Sequence, residues 1–266
     1  MGSGQAAKPR GRLLIVLLLF GLFAAICLGG IYAAGDLSRL QTDTTAEDSR
    51  SALRGVTVPG ELDRALNQYP TNKLLRLVAL ANRDLNDIDA VTQRLLDEAA
   101  SKPVRQLTDL GATSRNDLDT LRGDLKIVQA NLSTLAPRYD ALLKSARDKM
   151  ENDAKSLNVR DDRLSSFMAM IDAQHADWIA LTSKMLAARA DYYDAYERCA
   201  ALLVREFGIY KVVNGQFVFP FQSTANGYNR AASAMADAAK RISDLDGERS
   251  RLRQSELGRW KAFVER

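Results

Sequence analysis

RNDLDTLRGDLKIVQANLSTLAPRYDALLKSA, residues 115–146, is the stretch whose reading decides the fold. Its apolar positions are Leu118, Leu121, Leu125, Val128, Leu132, Leu135, Tyr139, Leu142 and Ala146. They alternate by three and four without exception. A period of 3.5 residues keeps one seam turned toward a partner helix, so this segment reads as coiled-coil-like packing. Ser114 stands three residues before Asp117, a capping box with Asp in the role of Glu. Pro137 lies off the seam and predicts a bend or a break.

Three further stretches carry the same spacing. From Lys73 to Ala99 the stripe is Leu74, Leu77, Ala81, Leu85, Ile88, Val91, Leu95 and Ala99. From Asp161 to Phe207 it is Leu164, Met168, Ile171, His175, Trp178, Leu181, Met185, Ala188, Tyr192, Ala195, Cys199 and Leu202. From Thr224 to Val264 it is Tyr228, Ala232, Met235, Ala239, Ile242, Leu245, Leu252 and Phe263. Arg249 and Glu256 interrupt this last stripe, which predicts that its final two turns fray or meet something else. Each stripe needs another to bury it, and four long helices joined by short breaks make an antiparallel bundle. The longest helix spans about 60–70 Å at about 1.5 Å per residue, so the domain is a rod.

Between the last two helices the pattern changes. Residues 209–219 place Asn214-Gly215 between β-branched and aromatic residues. Asn-Gly supplies the two positive φ angles of a type I′ turn, and Pro220 ends the run, so a β-hairpin is expected here. Tyr192, Tyr193, Tyr196, Phe207, Tyr210, Phe217, Phe219, Phe221 and Tyr228 make up more than half of the chain's Phe and Tyr residues. Two readings of this concentration stand side by side: a small aromatic core where the hairpin leans on the bundle, or a contact surface for a partner. The candidate contact residues are Tyr210, Phe217, Phe219 and Phe221.

Toward the N-terminus the composition shifts twice. Residues 35–70 form a polar connector with Pro59-Gly60 and Tyr69-Pro70 as breakers, and short helical pieces are expected near 46–54 and 60–68. Leu13 to Ala34 carries no charge and no Pro. At about 1.5 Å per residue it spans about 33 Å, the thickness of a hydrocarbon core. A cleaved signal peptide has a shorter apolar region of about 7–15 residues, although Ala33-Ala34-Gly35 offers a small-residue cleavage site. An uncleaved signal anchor fits the length better. Ile26 before Cys27 argues against a lipoprotein. Lys8, Arg10 and Arg12 in the tail 1–12 set the N-terminus on the cytoplasmic side, leaving the bulk of the chain periplasmic or otherwise extracytoplasmic. Gly21, Ala25, Gly29 and Ala33 share one face of this span and allow close helix packing, with a second copy or another membrane protein.

The chemistry is defined mostly by what is missing. The net charge is +4, and the three basic residues ahead of the apolar run account for most of it. The remaining 34 basic residues face 33 acidic ones, with alternating signs as in Arg160-Asp161-Asp162-Arg163. That is a solvated helix face and not a nucleic-acid footprint. There is one histidine, and no nucleophile elbow, Walker loop, dinucleotide fingerprint or Cys-x-x-Cys motif. Asp172-x-x-His175 is half of a carboxylate–histidine metal pair, with no second histidine to complete it, so no metal and no other cofactor is expected. His175 reads as a polar residue held in the seam, with a possible response to pH. Cys199 reads as a small core residue, with an intermolecular bridge as the other option. The sequence therefore predicts an all-α, single-pass anchored bundle that is not an enzyme. Its expected role is as a structural or assembly subunit of a membrane complex. The competing role is an extracytoplasmic ligand-binding or sensing bundle that signals through a partner.

Overall fold

The computed structural model describes residues 47–99 and 107–265, and the proposed membrane span with Gly21, Ala25, Gly29 and Ala33 lies outside them. Seven helices and one two-stranded sheet follow in order: α1 (residues 47–54), α2 (Leu62–Gln68), α3 (Lys73–Ala99), α4 (Arg115–Ser133), α5 (Leu135–Ser156), α6 (Asp161–Arg205), β1 (Lys211–Val213), β2 (Gln216–Val218) and α7 (Gln222–Glu265). Among the described residues, no helix is long and apolar enough to cross a membrane.

The seam of residues 118–146 forms as its spacing predicts. Leu118, Leu125, Val128, Leu132, Leu135 and Tyr139 are buried. Ser114 caps α4: its hydroxyl accepts from the Asp117 N–H at 3.1 Å and donates to the Asp117 carboxylate at 2.9 Å. Asp is one methylene shorter than Glu, and here it reaches the serine hydroxyl. The expected break lies at Thr134, which ends α4 and begins α5. Pro137 is the third residue of α5, where its missing N–H removes only a bond back to α4.

Ion pairs between helices fix the directions. α5 runs antiparallel to α3, with Arg138 on Glu98 at 3.4 Å and Lys149 on Asp84 at 3.7 Å. α6 runs antiparallel to α4 and α5, with Arg122 on Glu197 at 3.0 Å and Arg147 on Asp172 at 2.6 Å. α7 returns along α6, with Lys184 on Glu248 at 3.2 Å and Arg241 on Asp191 at 2.7 Å. α7 also closes on α3 through Arg249–Asp89 and Arg253–Asn86. α6 is therefore the central mast. Its 45 residues span about 68 Å at about 1.5 Å per residue.

One sequence expectation is corrected, and one left between two outcomes, fraying or meeting something else, is decided for the second. Residues 47–68, expected to belong to a connector, are part of the core: Ala52, Leu53, Val56, Leu62 and Ala65 are buried against α3, α6 and α7. Both helices are too short to show a periodic stripe, which is why composition alone made them look like a tether. The last two turns of α7 do not fray. Leu257, Trp260, Phe263 and Val264 are buried in the same cluster, and Glu256 is buried with them. The charged residue that seemed to interrupt the stripe is enclosed by it.

The Asn214-Gly215 hairpin forms in the expected register, Val213 opposite Gln216 and Lys211 opposite Val218. Asn214 and Gly215 take φ of 51° and 76°, the left-handed pair that a type I′ turn requires. Gly208, at φ 83°, ends the helical path of α6 and turns the chain into the hairpin.

Candidate functional site: the hairpin end

α3 stops at Ala99, so the end of the rod beyond it has three helices where the other end has four. Three helices leave one side of their core open. The hairpin and the 3₁₀ segment Leu107–Ala112 occupy that side. Tyr228 of α7 receives the rings of Phe217 and Phe219 at centroid distances of 5.4 and 5.3 Å, and Tyr210 meets Phe217 at 5.3 Å. These tilted and edge-on geometries are favourable for aromatic pairs. Val212 packs over Gly111, where a Cβ would come within 3.1 Å of its methyl. Burial pushes the hydroxyls of Tyr210 and Tyr228 above the usual phenol range.

The expected contact residues therefore divide. Tyr210, Phe217 and Phe219 are half-buried members of the aromatic core. Phe221 is 59% exposed. Around it lie residues that sequence reasoning passed over: Phe207, Ile209, Val212, Val213 and Val218 are exposed as well. Six of the nine exposed large apolar residues among those described fall within residues 207–221. The signal was present in the alternation of the strands, because Val213 and Val218 share the face opposite Phe217.

The exposed charges on the hairpin and on the helix turns flanking it in sequence are basic, while the 3₁₀ segment and the start of α4 at the same end bring Asp109, Asp117 and Asp119. Between Cys199 and Ala236 the charged residues are Arg205, Glu206, Lys211 and Arg230. Glu206 is buried, accepting from the Arg205 guanidinium at 2.9 Å and from the Thr224 hydroxyl at 3.4 Å. Arg205, Lys211 and Arg230 are exposed. Beside the patch an open groove of about 450 Å³ runs between α6 and α7. Its floor is Ala201, Leu202, Gly227 and Ala231, and its rim is Arg198 and Arg230.

No protein-family model matches the chain, and neither a curated protein nor a solved structure matches it.

The remaining sequence candidates have structural surroundings. Cys199 is fully buried, and burial raises its thiol to about 11, which keeps it neutral and inert. His175 is buried in the seam, and burial lowers its affinity for a proton. Asp172, one turn away, is held by Arg147 through two hydrogen bonds of 2.6 and 3.2 Å. The Asp172-x-x-His175 pair is thus committed to a cross-helix ion pair. Among the described residues no group of three or more His, Cys, Asp or Glu is placed to hold a metal ion.

Proposed function

We propose that this chain is a single-pass membrane-anchored helical rod that acts as a structural or assembly subunit of a membrane complex. In this reading Leu13–Ala34 is the anchor, the rod is extracytoplasmic, and the hairpin end docks a partner protein. The carrying observation is the concentration of exposed large apolar side chains in residues 207–221, six of the nine among the described residues. A contiguous exposed apolar patch in a rod whose other faces are charged marks an interaction surface.

The geometry supports this reading in two further ways. α1, where the chain enters the rod, packs at the start of α6 and the end of α7. The hairpin follows the other end of α6, about 68 Å away for 45 residues at about 1.5 Å each. An anchor at one end thus carries the patch well clear of the bilayer surface. The rim of Arg205, Lys211 and Arg230 selects a partner that surrounds its apolar contact with carboxylates.

The test is affinity purification of the full chain in mild detergent from its native membrane, with the double substitution Ile209→Ser and Phe221→Ser alongside. The expected result is a stoichiometric membrane partner that the double variant loses while keeping its helical content. Recovery of the unmodified chain alone, or with the same partner on both forms, overturns the hairpin end as the docking site.

A further inference from the structure

The α1 end of the rod encloses a carboxylic acid that the docking reading does not use. Glu256 of α7 has no solvent exposure, and neither of its oxygens has a hydrogen-bond partner. Trp260 lies one helical turn further on, and α6 brings Trp178 to the same core. Both indole N–H groups are buried without a hydrogen bond of normal distance and angle, although the Trp178 indole lies near enough to Glu256 to favour its charged form. These are the chain's two tryptophans.

The arginines around Glu256 are each engaged elsewhere through Nη2, while the Nη1 of Arg253 and of Arg259 is buried without a hydrogen-bond partner. Arg259 of α7 approaches Glu256 to 3.9 Å, but Arg259 is paired with Asp177 of α6. Arg253 of α7 bonds Asn86 of α3. On α3, Asp89 holds Arg249, and the buried Asp84 faces Lys149 of α5. A carboxylate needs several strong donors to be stable without water, and none reaches this one in bonding geometry. A neutral carboxylic acid has no such requirement. Burial raises the Glu256 carboxyl to about 7, and the opposing pulls of Arg259, the Trp178 indole and Arg253 do not cancel it; Asp177 adds to the rise.

The position of this acid gives it leverage. Its core contains Leu53 and Val56 from α1 and the segment after it, together with Trp260, Phe263 and Val264. The Lys261 ammonium donates to the Val56 carbonyl at 2.8 Å, and the Arg50 guanidinium to the Glu265 carbonyl at 3.3 Å. The last turns of α7 therefore hold the segment through which the chain enters the rod.

We propose that Glu256 is a proton-operated latch: neutral, it lets the last two turns of α7 close on α1, and ionised, it loosens that joint. The rod thereby senses protons at the end opposite the docking patch. This inference is independent of the hairpin reading and survives its failure.

Because Trp178 and Trp260 are the chain's two tryptophans, intrinsic fluorescence reports on this core alone. The full chain in mild detergent is titrated from pH 5 to 9. The unmodified chain should show a transition near pH 7 that Glu256→Gln lacks, with the titration of His175 contributing only below pH 6.5. His175→Gln, which removes the chain's one histidine, should keep the transition. Hydrogen exchange, corrected for intrinsic rates, should accelerate at least tenfold at residues 47–54 above the transition, and not in Glu256→Gln. A transition that persists in Glu256→Gln or vanishes in His175→Gln overturns the latch. So does a flat unmodified chain, or exchange at 47–54 that ignores the transition. If Glu256→Gln does not fold, difference infrared spectroscopy of the unmodified chain decides. A protonated-carboxyl band lost near pH 7 supports the proposal, and a band present only below pH 5 overturns it.

Discussion

At the α1 end, four long helices and two short ones enclose Trp178, Trp260 and Glu256; at the hairpin end, three helices and a two-stranded sheet enclose Tyr196, Leu203 and Tyr228. The first end covers nearly all of its large apolar side chains, with Val58 exposed, but leaves buried polar atoms without partners, including both Glu256 oxygens and both indole nitrogens. The second keeps its one buried carboxylate, Glu206, well bonded, yet leaves Phe207, Ile209 and Phe221 in solvent. Helix number explains the contrast. A fourth helix closes a core tightly enough to trap polar groups. A short hairpin covers a three-helix core only in part, and its outward valines are exposed among the described residues. The α1 end should therefore respond to pH, and the hairpin end to what is dissolved around it.

The largest effect should come from emptying the closed core. Trp260 is fully buried, so Trp260→Ala should destabilise the rod by about 3–5 kcal/mol, read as a shift in chemical denaturation midpoint. If the two ends unfold separately, the hairpin-end aromatic signal in near-ultraviolet dichroism should survive this change. A loss of both signals together would show that α6 couples the ends into one cooperative unit.

Next in size is the proton linkage of Glu256. Its folded pKa of about 7 lies above the value of 4.5 for a free carboxyl. The folded state thus binds the proton more tightly than the unfolded state does. Its contribution is fully present below pH 4.5 and is lost as pH rises through about 7. At about 1.4 kcal/mol per unit, the loss is about 3 kcal/mol. His175 has the opposite slope: burial lowers its proton affinity below 6.5, so it removes stability as pH falls through that value. Denaturation midpoints should fall as pH rises through about 7 in the unmodified chain, and Glu256→Gln should lose that fall and keep only the opposite slope of His175 at lower pH. Midpoints unchanged by Glu256→Gln would place the linkage elsewhere.

These two ends also differ in how far the sequence disclosed them. The seam of residues 115–146, the break before Pro137 and the Asn214-Gly215 turn were legible because each is a local rule about period or φ. The long stripe of α6 was legible through Cys199, but Phe167, Gln174, Thr182 and Tyr196 are buried beside it. A stripe that touches neighbours on several sides is wider than one seam, and a single 3.5-residue count misses its flanks. The α1 end was misread because its polar members, Glu256 and Arg249, are tolerated through contacts with helices distant in sequence. Of the four candidate contact residues, Phe221 alone is exposed. Composition identified the aromatic concentration, but only the tertiary structure shows Phe217 and Phe219 packed on Tyr228 while Phe221, beyond β2 and Pro220, stays exposed.

That division gives a smaller and sharper test at the hairpin end. Phe219 is half-buried on Tyr228, so Phe219→Ser should cost about 2 kcal/mol, roughly half of a fully buried phenylalanine. Phe221→Ser should change stability by less than about 0.5 kcal/mol, as an exposed substitution does. Equal losses would show that Phe221 belongs to the core and would remove it from the docking patch.

The smallest effect should come from the salt-bridge ladder that runs along both ends. Arg241–Asp191 at 2.7 Å and Lys184–Glu248 at 3.2 Å join α6 to α7, with every partner largely exposed. Exposed pairs contribute about 0.2–1 kcal/mol, because solvent screens them and two long side chains lose freedom. A double-mutant cycle on Arg241 and Asp191 should therefore give a coupling below about 1 kcal/mol that shrinks further at about 1 M salt. These pairs mark which residues stand opposite each other, while the apolar stripe between α6 and α7 sets that register. A coupling of several kcal/mol, insensitive to salt, would mean that the α6–α7 contact is held by its charges. The stripe of Tyr228, Ala231 and Ala238 would then be a consequence of the register and not its cause.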